Sequence, residues 1–281
     1  MFNGLEVIEK ADLKKYCTFK IGGRGTIVFP KNVVELKRVI RECQKLNKNY
    51  FILGNGSNLL FPDYDSDLIF VSLKYFNKIN KLTSGKLCVG AGVNLLSLNA
   101  YLKKHSLGGL EWSFGIPASV GGAVFMNAGA FEHSISEFID EVKILKDGKI
   151  CYLNKKNLNF SYRKSNIDGI ILGVTMHFSQ KNSIEIQKEQ FDFLERRKAT
   201  QPYDKFSAGS IFKREANIIP AKIIDSLGLK GTKIGDAEIS TKHAGFIVNN
   251  GNAKAIDVLA LIDYIELKAG RKFDLEIIII K

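Results

Sequence analysis

The chain has 281 residues, 45% of them hydrophobic and 25% charged, the balance of a folded protein with room for about two domains of ordinary size. Its opening "MFNGLEVIEKADLKKYC" mixes acids with apolar residues, which excludes a signal or transit peptide and makes the cytoplasm the expected location. A formal charge of +12 raises nucleic acid as a partner, but the lysines are dispersed and no RNP-like or Arg/Gly-rich segment accompanies them, so a solvated surface and an anionic small substrate are expected instead.

"GTIVFP" reads as a short strand closed by Pro30. In "NVVELKRVIRECQKL" the apolar positions 33, 36, 39, 40, 43 and 46 follow a helical period, with Asn32 as N-cap and Glu35 three residues on. "YFILG", "DLIFVSL" and "KLCVGAG" read as strands and "LLSLNAYLKKH" as a helix. Strands are expected again in "VKILKDGKICYL", turned at Asp147-Gly148, and in "GIILGVTMHF". A charged helix from Ile184 to Arg197 suggests a boundary near 180. Beyond it come a helix opened by Pro220 and stopped by Gly228, the strand "HAGFIVN", a helix from about 253 to 268, and the strand "FDLEIIII". Two α+β parts, 1–183 and 184–281, are the economical division.

The longest uncharged run, Trp112 to Phe131, approaches the length of a membrane span. Its Gly, Ala and Ser content, with Pro117 and Asn127, argues against that, and no membrane association is expected. Cys17, Cys43, Cys88 and Cys151 are widely spaced and read as reduced core thiols. His105, His133, His177 and His243 form no ligand pattern, so no protein-built metal site is expected.

Two segments echo each other: "GNGSNLL", with Gly54, Asn55, Gly56, Ser57, Asn58 and Leu59, and "GAGVNLL", with Gly90 and Gly92. Each follows a strand, where glycines let successive N–H groups face a phosphate. A Rossmann site is disfavoured, because both loops lack the third glycine and Pro62 blocks a helix after the first. A third small-residue loop, "GIPASVGGAVFMNAGAF", adds Gly115, Ile116, Pro117, Ser119, Gly121 and Gly122. Three such loops can converge on one elongated anionic ligand, and a dinucleotide held outside a Rossmann fold points to flavin. Glycines that merely pack closely remain the alternative.

Taken in order, "TFKIGG", "LGNGSNLL", "GLEWSFGIPASVGGAVFMNAGAF", "FSYRKS", "AGSIFKR" and "KHAGFIVN" resemble the UDP-N-acetylenolpyruvoylglucosamine reductases of peptidoglycan synthesis, in their shorter variety. The resemblance runs from about Thr18 to Glu276. It implies a two-subdomain FAD-binding α+β fold of the vanillyl-alcohol-oxidase (PCMH) type over 1–183, with subdomains of about 1–72 and 73–183. A smaller α+β substrate-binding domain would occupy 184–281. The implied cofactor is tightly bound, non-covalent FAD, with NADPH as reductant. The implied partner is a small UDP-sugar enolpyruvyl ether, with no obligate protein partner. An alcohol oxidase on the same fold is the rival enzyme reading.

The resemblance also assigns roles. Arg163 in "FSYRKS" matches the family arginine that would face the substrate carboxylate; on its own it reads as a surface arginine. Tyr162 beside it matches a substrate contact, or else packs. Ser210 in "AGSIFKR" matches the proton donor, although a serine after Gly209 is ordinarily a turn residue. Glu276 in "DLEIIII" matches the family glutamate, at a place where a carboxyl belongs to a site or to an edge strand. Lys213 is placed against the UDP diphosphate, or else is solvated. Two departures stand out: Ala118 where the family has Gly, and "FKRE" for "FKNP".

Overall fold

The computed structural model describes residues 2–215 and 217–281. The first amphipathic segment forms α1 (Val33–Lys45), which starts where the Asn32 side chain accepts the Glu35 N–H and buries Leu36, Val39 and Cys43. Each such side chain contributes about 1.5–3 kcal/mol of apolar burial. They join Val28 and Val71 in one core. The strands Glu6–Asp12, Arg24–Phe29, Ile69–Ser72 and Tyr50–Leu53 lie in that order in one sheet. α2 (Leu95–Lys104) starts at Asn94, whose side chain accepts the Leu96 N–H. α3 (Val120–Phe125) is a short helix capped by Ser119.

The second sheet is antiparallel, in the order Lys149–Asn154, Ile139–Lys146, Ile170–His177, Lys86–Gly90 and Ile79–Thr83. The Asp147-Gly148 hairpin forms as read, with both residues at positive φ, +48° and +71°, as a type I′ turn requires. Ile170–His177 is central and almost wholly buried, which accounts for its unbroken apolar spelling.

α4 (Ser183–Thr200) covers the expected charged helix. α5 (Pro220–Ser226) has Pro220 in its first turn, and Gly228 follows at φ +67°. α6 (Ala255–Ala269) is capped from far away in sequence: the Asp63 carboxylate accepts the N–H groups of Ala255 (2.8 Å) and Ile256 (3.1 Å). Its carboxylate also suits the positive end of the helix. α6 buries Val258, Leu261 and Ile265 and packs on a three-stranded sheet of Lys233–Ile234, Ala237–Ile239 and Ile247–Asn249.

The chain forms two compact units, and one of the boundaries between them falls at 195, inside α4. One unit holds Met1–Ile8, Ile27–Asn55 and Leu68–Glu195; the other holds Glu9–Thr26, Gly56–Asp67 and Arg196–Lys281. The early stretches join the later part because Thr18 Oγ1 donates to Ser207 O (2.7 Å), Asn249 Nδ2 donates to Phe19 O (3.0 Å), and Ile278–Ile279 pairs in parallel with Leu59–Leu60. "HAGFIVN" is strand only from Ile247, because the Phe246 N–H closes a turn on His243 O (3.0 Å). "FDLEIIII" is strand only at Ile278–Ile279, because the segment changes partner at Glu276.

Among the described residues no helix is long and apolar enough to cross a membrane, and no cluster of three metal-ligating side chains occurs. Cys17 and Cys43 are buried, and Cys88 and Cys151 are half-buried; all four are free thiols.

Candidate active site

In the first unit the second and third glycine loops meet, and Gly54 approaches them. The Val120 and Gly121 N–H groups donate to Val93 O and Ala91 O, both at 2.8 Å, and the Leu95 N–H donates to Ala118 O (3.0 Å). The Ser119 hydroxyl accepts the Gly122 N–H at 3.3 Å, and a Cβ on Gly54 would stand 2.7 Å from that same oxygen. The glycines nevertheless divide into two kinds. A Cβ on Gly90 would meet Phe76 O at 2.0 Å, one on Gly92 would meet Leu73 O at 2.1 Å, and one on Gly121 would lie 2.9 Å from the Ala91 Cβ. These three are glycine because protein occupies the space. Gly122 differs: its Cβ would touch only the Ser119 oxygen, at 3.3 Å, and the position is half-exposed.

The fit to a dinucleotide rests on such open backbone. Among the described residues the Asn55 N–H donates to no protein acceptor. In the second unit the same holds for the N–H groups of Gly56 and Ser57. Donors of this kind are what phosphate oxygens require. Gly56 itself is a packing glycine at φ +64°, with Tyr16 O at 2.1 Å from its Cβ position. Gly115 turns the chain at φ +90°, Ile116 is half-buried, Pro117 is exposed, and Ala118 buries its methyl group in the core.

Arg163 stands on a four-residue turn. The Ser161 N–H donates to Lys164 O (2.9 Å) and the Lys164 N–H returns to Ser161 O (3.2 Å), with Tyr162 and Arg163 at the tip. Arg163 has φ +56°, a conformation that costs a non-glycine residue about 1–2 kcal/mol. The guanidinium carbon lies 5.0 Å from the centre of the exposed Tyr162 ring, and one guanidinium nitrogen lies 3.3 Å from where a Gly129 Cβ would be. The sequence reading passed over Gly129 and the buried Asn127, whose side-chain Nδ2 donates to Ser161 O at 2.9 Å. An asparagine closing a short helix was the available signal for the latter.

The second unit holds Ser210, Lys213 and Glu276 on one backbone ladder. The Ile211 N–H donates to Gly245 O (2.9 Å), the Glu276 N–H to Ile211 O (2.7 Å) and the Lys213 N–H to Asp274 O (2.8 Å). Ser210 follows Gly209, which has φ +79° and open space around its Cβ position. Asn58 is tied in through its side chain, since Nδ2 donates to Glu276 O at 2.9 Å and the Ile278 N–H donates to Asn58 O at 2.9 Å. Leu59 is buried in the parallel pairing with Ile278. Glu276 is half-buried at the bend, and Lys213 is half-buried beside it in sequence to the "FKRE" departure, where Glu215 accepts from Arg271 at 3.0 Å.

A histidine borders this ladder. His243 Nδ1 accepts the Gly245 N–H at 3.1 Å, and the ring meets Phe246 edge-on with centroids 4.9 Å apart. Burial, followed by the positive charges of Arg214 and Lys230, holds its imidazole below the ordinary value near 6.5. The ring is therefore a neutral hydrogen-bond acceptor toward the backbone that Ile211 also uses.

Comparison with known proteins joins both parts. Residues 201–278 match the family model "UDP-N-acetylenolpyruvoylglucosamine reductase, C-terminal domain", and residues 25–154 match "FAD binding domain". Two proteins named UDP-N-acetylenolpyruvoylglucosamine reductase, from Thermotoga petrophila and Clostridium novyi, are 41% and 42% identical to this chain. Each alignment covers 94% of this chain, and 94% and 88% of the respective relative. A crystal structure of the reductase from Thermus caldophilus superposes with a TM-score of 0.86 at 33% identity, over 99% of both chains. A berberine bridge enzyme variant, 16% identical, shares the fold alone, with a TM-score of 0.50 over 65% of this chain and 43% of that one. The architecture is thus an α+β FAD-binding fold of the vanillyl-alcohol-oxidase type with a further α+β part.

Proposed function

This chain belongs to the UDP-N-acetylenolpyruvoylglucosamine reductase family, and from that premise we propose how its own residues share the work of the reaction. The protein is an FAD-dependent oxidoreductase that reduces the enolpyruvyl ether of UDP-N-acetylglucosamine to UDP-N-acetylmuramate with NADPH, in peptidoglycan precursor synthesis. The observation that carries this is the similarity to named reductases along nearly the whole chain.

When bound and reduced by NADPH, FAD would supply hydride chemistry for the terminal carbon of the enolpyruvyl double bond. Negative charge then grows on the substrate carboxylate. Arg163 is proposed to meet that charge: its planar cation pairs with two oxygens, and its turn fixes the direction beforehand, so little reorganisation is needed. Glu276 is proposed to hold the second side of the enolate by a hydrogen bond. Ser210 is proposed to give its hydroxyl proton to the carbon next to the carboxylate. Tyr162 and Lys213 are assigned to the substrate, Lys213 as a positive charge for the diphosphate.

For FAD we assign Gly54, Asn55, Gly56, Ser57, Asn58, Leu59, Gly90, Gly92, Gly115, Ile116, Pro117, Ser119, Gly121 and Gly122. Within the first unit, Gly122 and the open N–H group of Asn55 are the points of direct approach, and the packing glycines shape the loops that present them. We place the flavin within 1–183 and the sugar nucleotide on 184–281, supplemented by the early stretches that join it. The reaction requires only small molecules, so no protein or nucleic acid partner is assigned, and we place it in the cytoplasm with its NADPH supply.

An absorption spectrum tests the whole reading. The purified protein is expected to be yellow, to bleach with NADPH, and to recover its colour without oxygen when the enolpyruvyl substrate is added. Colourless protein that also refuses added FAD would sink it.

A further inference from the structure

We propose that Asn127 is a positioning residue for Arg163, acting through the carbonyl at the base of the arginine's turn. The inference rests on the assignment of Arg163 to the substrate carboxylate. Asn127 follows α3 with φ +43°, the left-handed conformation that ends many helices and that glycine meets with least strain. Its backbone N–H donates to Val124 O at 3.1 Å, so glycine would serve the backbone equally well. The side chain must therefore account for the asparagine.

That side chain is only 7% exposed and is half satisfied: Nδ2 donates to Ser161 O at 2.9 Å, while Oδ1 is buried with no hydrogen-bond partner among the described residues. A buried unpaired amide oxygen is destabilising, and an apolar side chain would avoid it. The amide is kept for the N–H it gives to Ser161. That acceptor is the carbonyl that also takes the Lys164 N–H, so both of its lone pairs are occupied and the base of the turn is fixed from outside as well as from within. A neutral amide is the suitable donor here, since a lysine would repel the guanidinium two residues on. Gly129, two residues after Asn127, is kept free of a side chain by its own hairpin, since a Cβ there would stand 2.5 Å from His133 O, and the Arg163 guanidinium nitrogen lies farther off, at 3.3 Å from the same point. The tether of the turn is therefore Asn127 alone.

The test uses Asn127→Gly, which suits the left-handed backbone and removes only the amide, and Asn127→Asp, which keeps the shape and removes the donor. Each half of the reaction is followed by stopped flow on the FAD-loaded enzyme. Reoxidation by the enolpyruvyl substrate is expected to slow about 10- to 100-fold, the scale of a misplaced reactive group. FAD content and bleaching by NADPH should stay within about twofold of the parent. The 15N signal of the Arg163 guanidinium should broaden in both variants as the side chain loses its single orientation. In an Arg163→Ala background, Asn127→Gly should slow reoxidation no further. Unchanged reoxidation, equal slowing of both halves, or full additivity with Arg163→Ala overturns the proposal. If Arg163→Ala alone leaves reoxidation untouched, the assignment of Arg163 fails first and the positioning role falls with it.

Discussion

Arg163 sits at the tip of a turn closed within four residues, whereas Ser210 and Glu276 sit on extended segments distant in sequence and tied by backbone bonds. The turn holds its residue by local strain and one side-chain tether. The ladder holds its residues by regular bonds that no single side chain controls. For the roles proposed above, charge stabilisation needs a direction fixed in advance, which a closed and tethered turn supplies. A proton-giving hydroxyl beside a carboxyl that holds the enolate needs a set spacing, which a ladder supplies.

The largest effect separating the two should come from Ser210→Ala. It leaves the ladder intact, because the bonds use backbone, and it should slow reoxidation by the enolpyruvyl substrate about 10²- to 10⁴-fold, the worth of a general acid. Bleaching by NADPH should be unaffected; slowing of both steps would mean that the hydroxyl supports the fold instead.

Next come the glycines of the first unit. Gly121→Ala pushes a methyl group against Ala91, where 2.9 Å is available, and should lower stability by about 1–3 kcal/mol in urea unfolding at constant m-value. Gly122→Ala has only the Ser119 oxygen to displace and should leave stability nearly unchanged while FAD is retained less well through gel filtration. The reverse pattern would reassign which glycine faces the ligand.

On the ladder side, Asn58→Ala removes the side-chain bond to Glu276 O and leaves the backbone bonds in place. A drop in reoxidation rate of about tenfold is expected, smaller than the loss at Ser210 because Ile211 still holds Glu276. A loss as large as that of Ser210→Ala would show that the ladder depends on one side chain after all.

The smallest effect is on pH. The folded His243 ring resists protonation, so as pH falls below about 6.5 the unfolded chain takes up a proton that the folded chain does not, and stability declines until the folded ring titrates as well. His243→Gln should flatten the urea midpoint between pH 7 and 5. An unchanged slope would remove His243 from the account.

Local features were legible in the sequence. The Asn32 cap, the Asp147-Gly148 hairpin and the Pro220 start of α5 depend on residues within a few positions, and all form as read. Glycine loops were legible as loops but not in purpose, because a missing Cβ is spelled the same whether Phe76 O or a ligand takes the space. The kink at Glu276 was hidden by the unbroken "EIIII", since apolar spelling reports burial and says nothing of a change of strand partner. Asn127 escaped because it matters through Ser161, more than thirty positions away.

The parallel pairing of Ile278–Ile279 with Leu59–Leu60 also sets a timetable for synthesis. Leu59, Leu60 and Phe61, all buried in the finished fold, leave the ribosome roughly two hundred residues before their partners, an interval of about 10–40 s at ~5–20 residues per second. For that interval an apolar strand lacks its mate. The first unit can close once Glu195 has emerged, so a nascent chain stalled beyond that point would carry a folded flavin-loop scaffold and an unfinished second unit, the species on which a chaperone holding apolar strands would act.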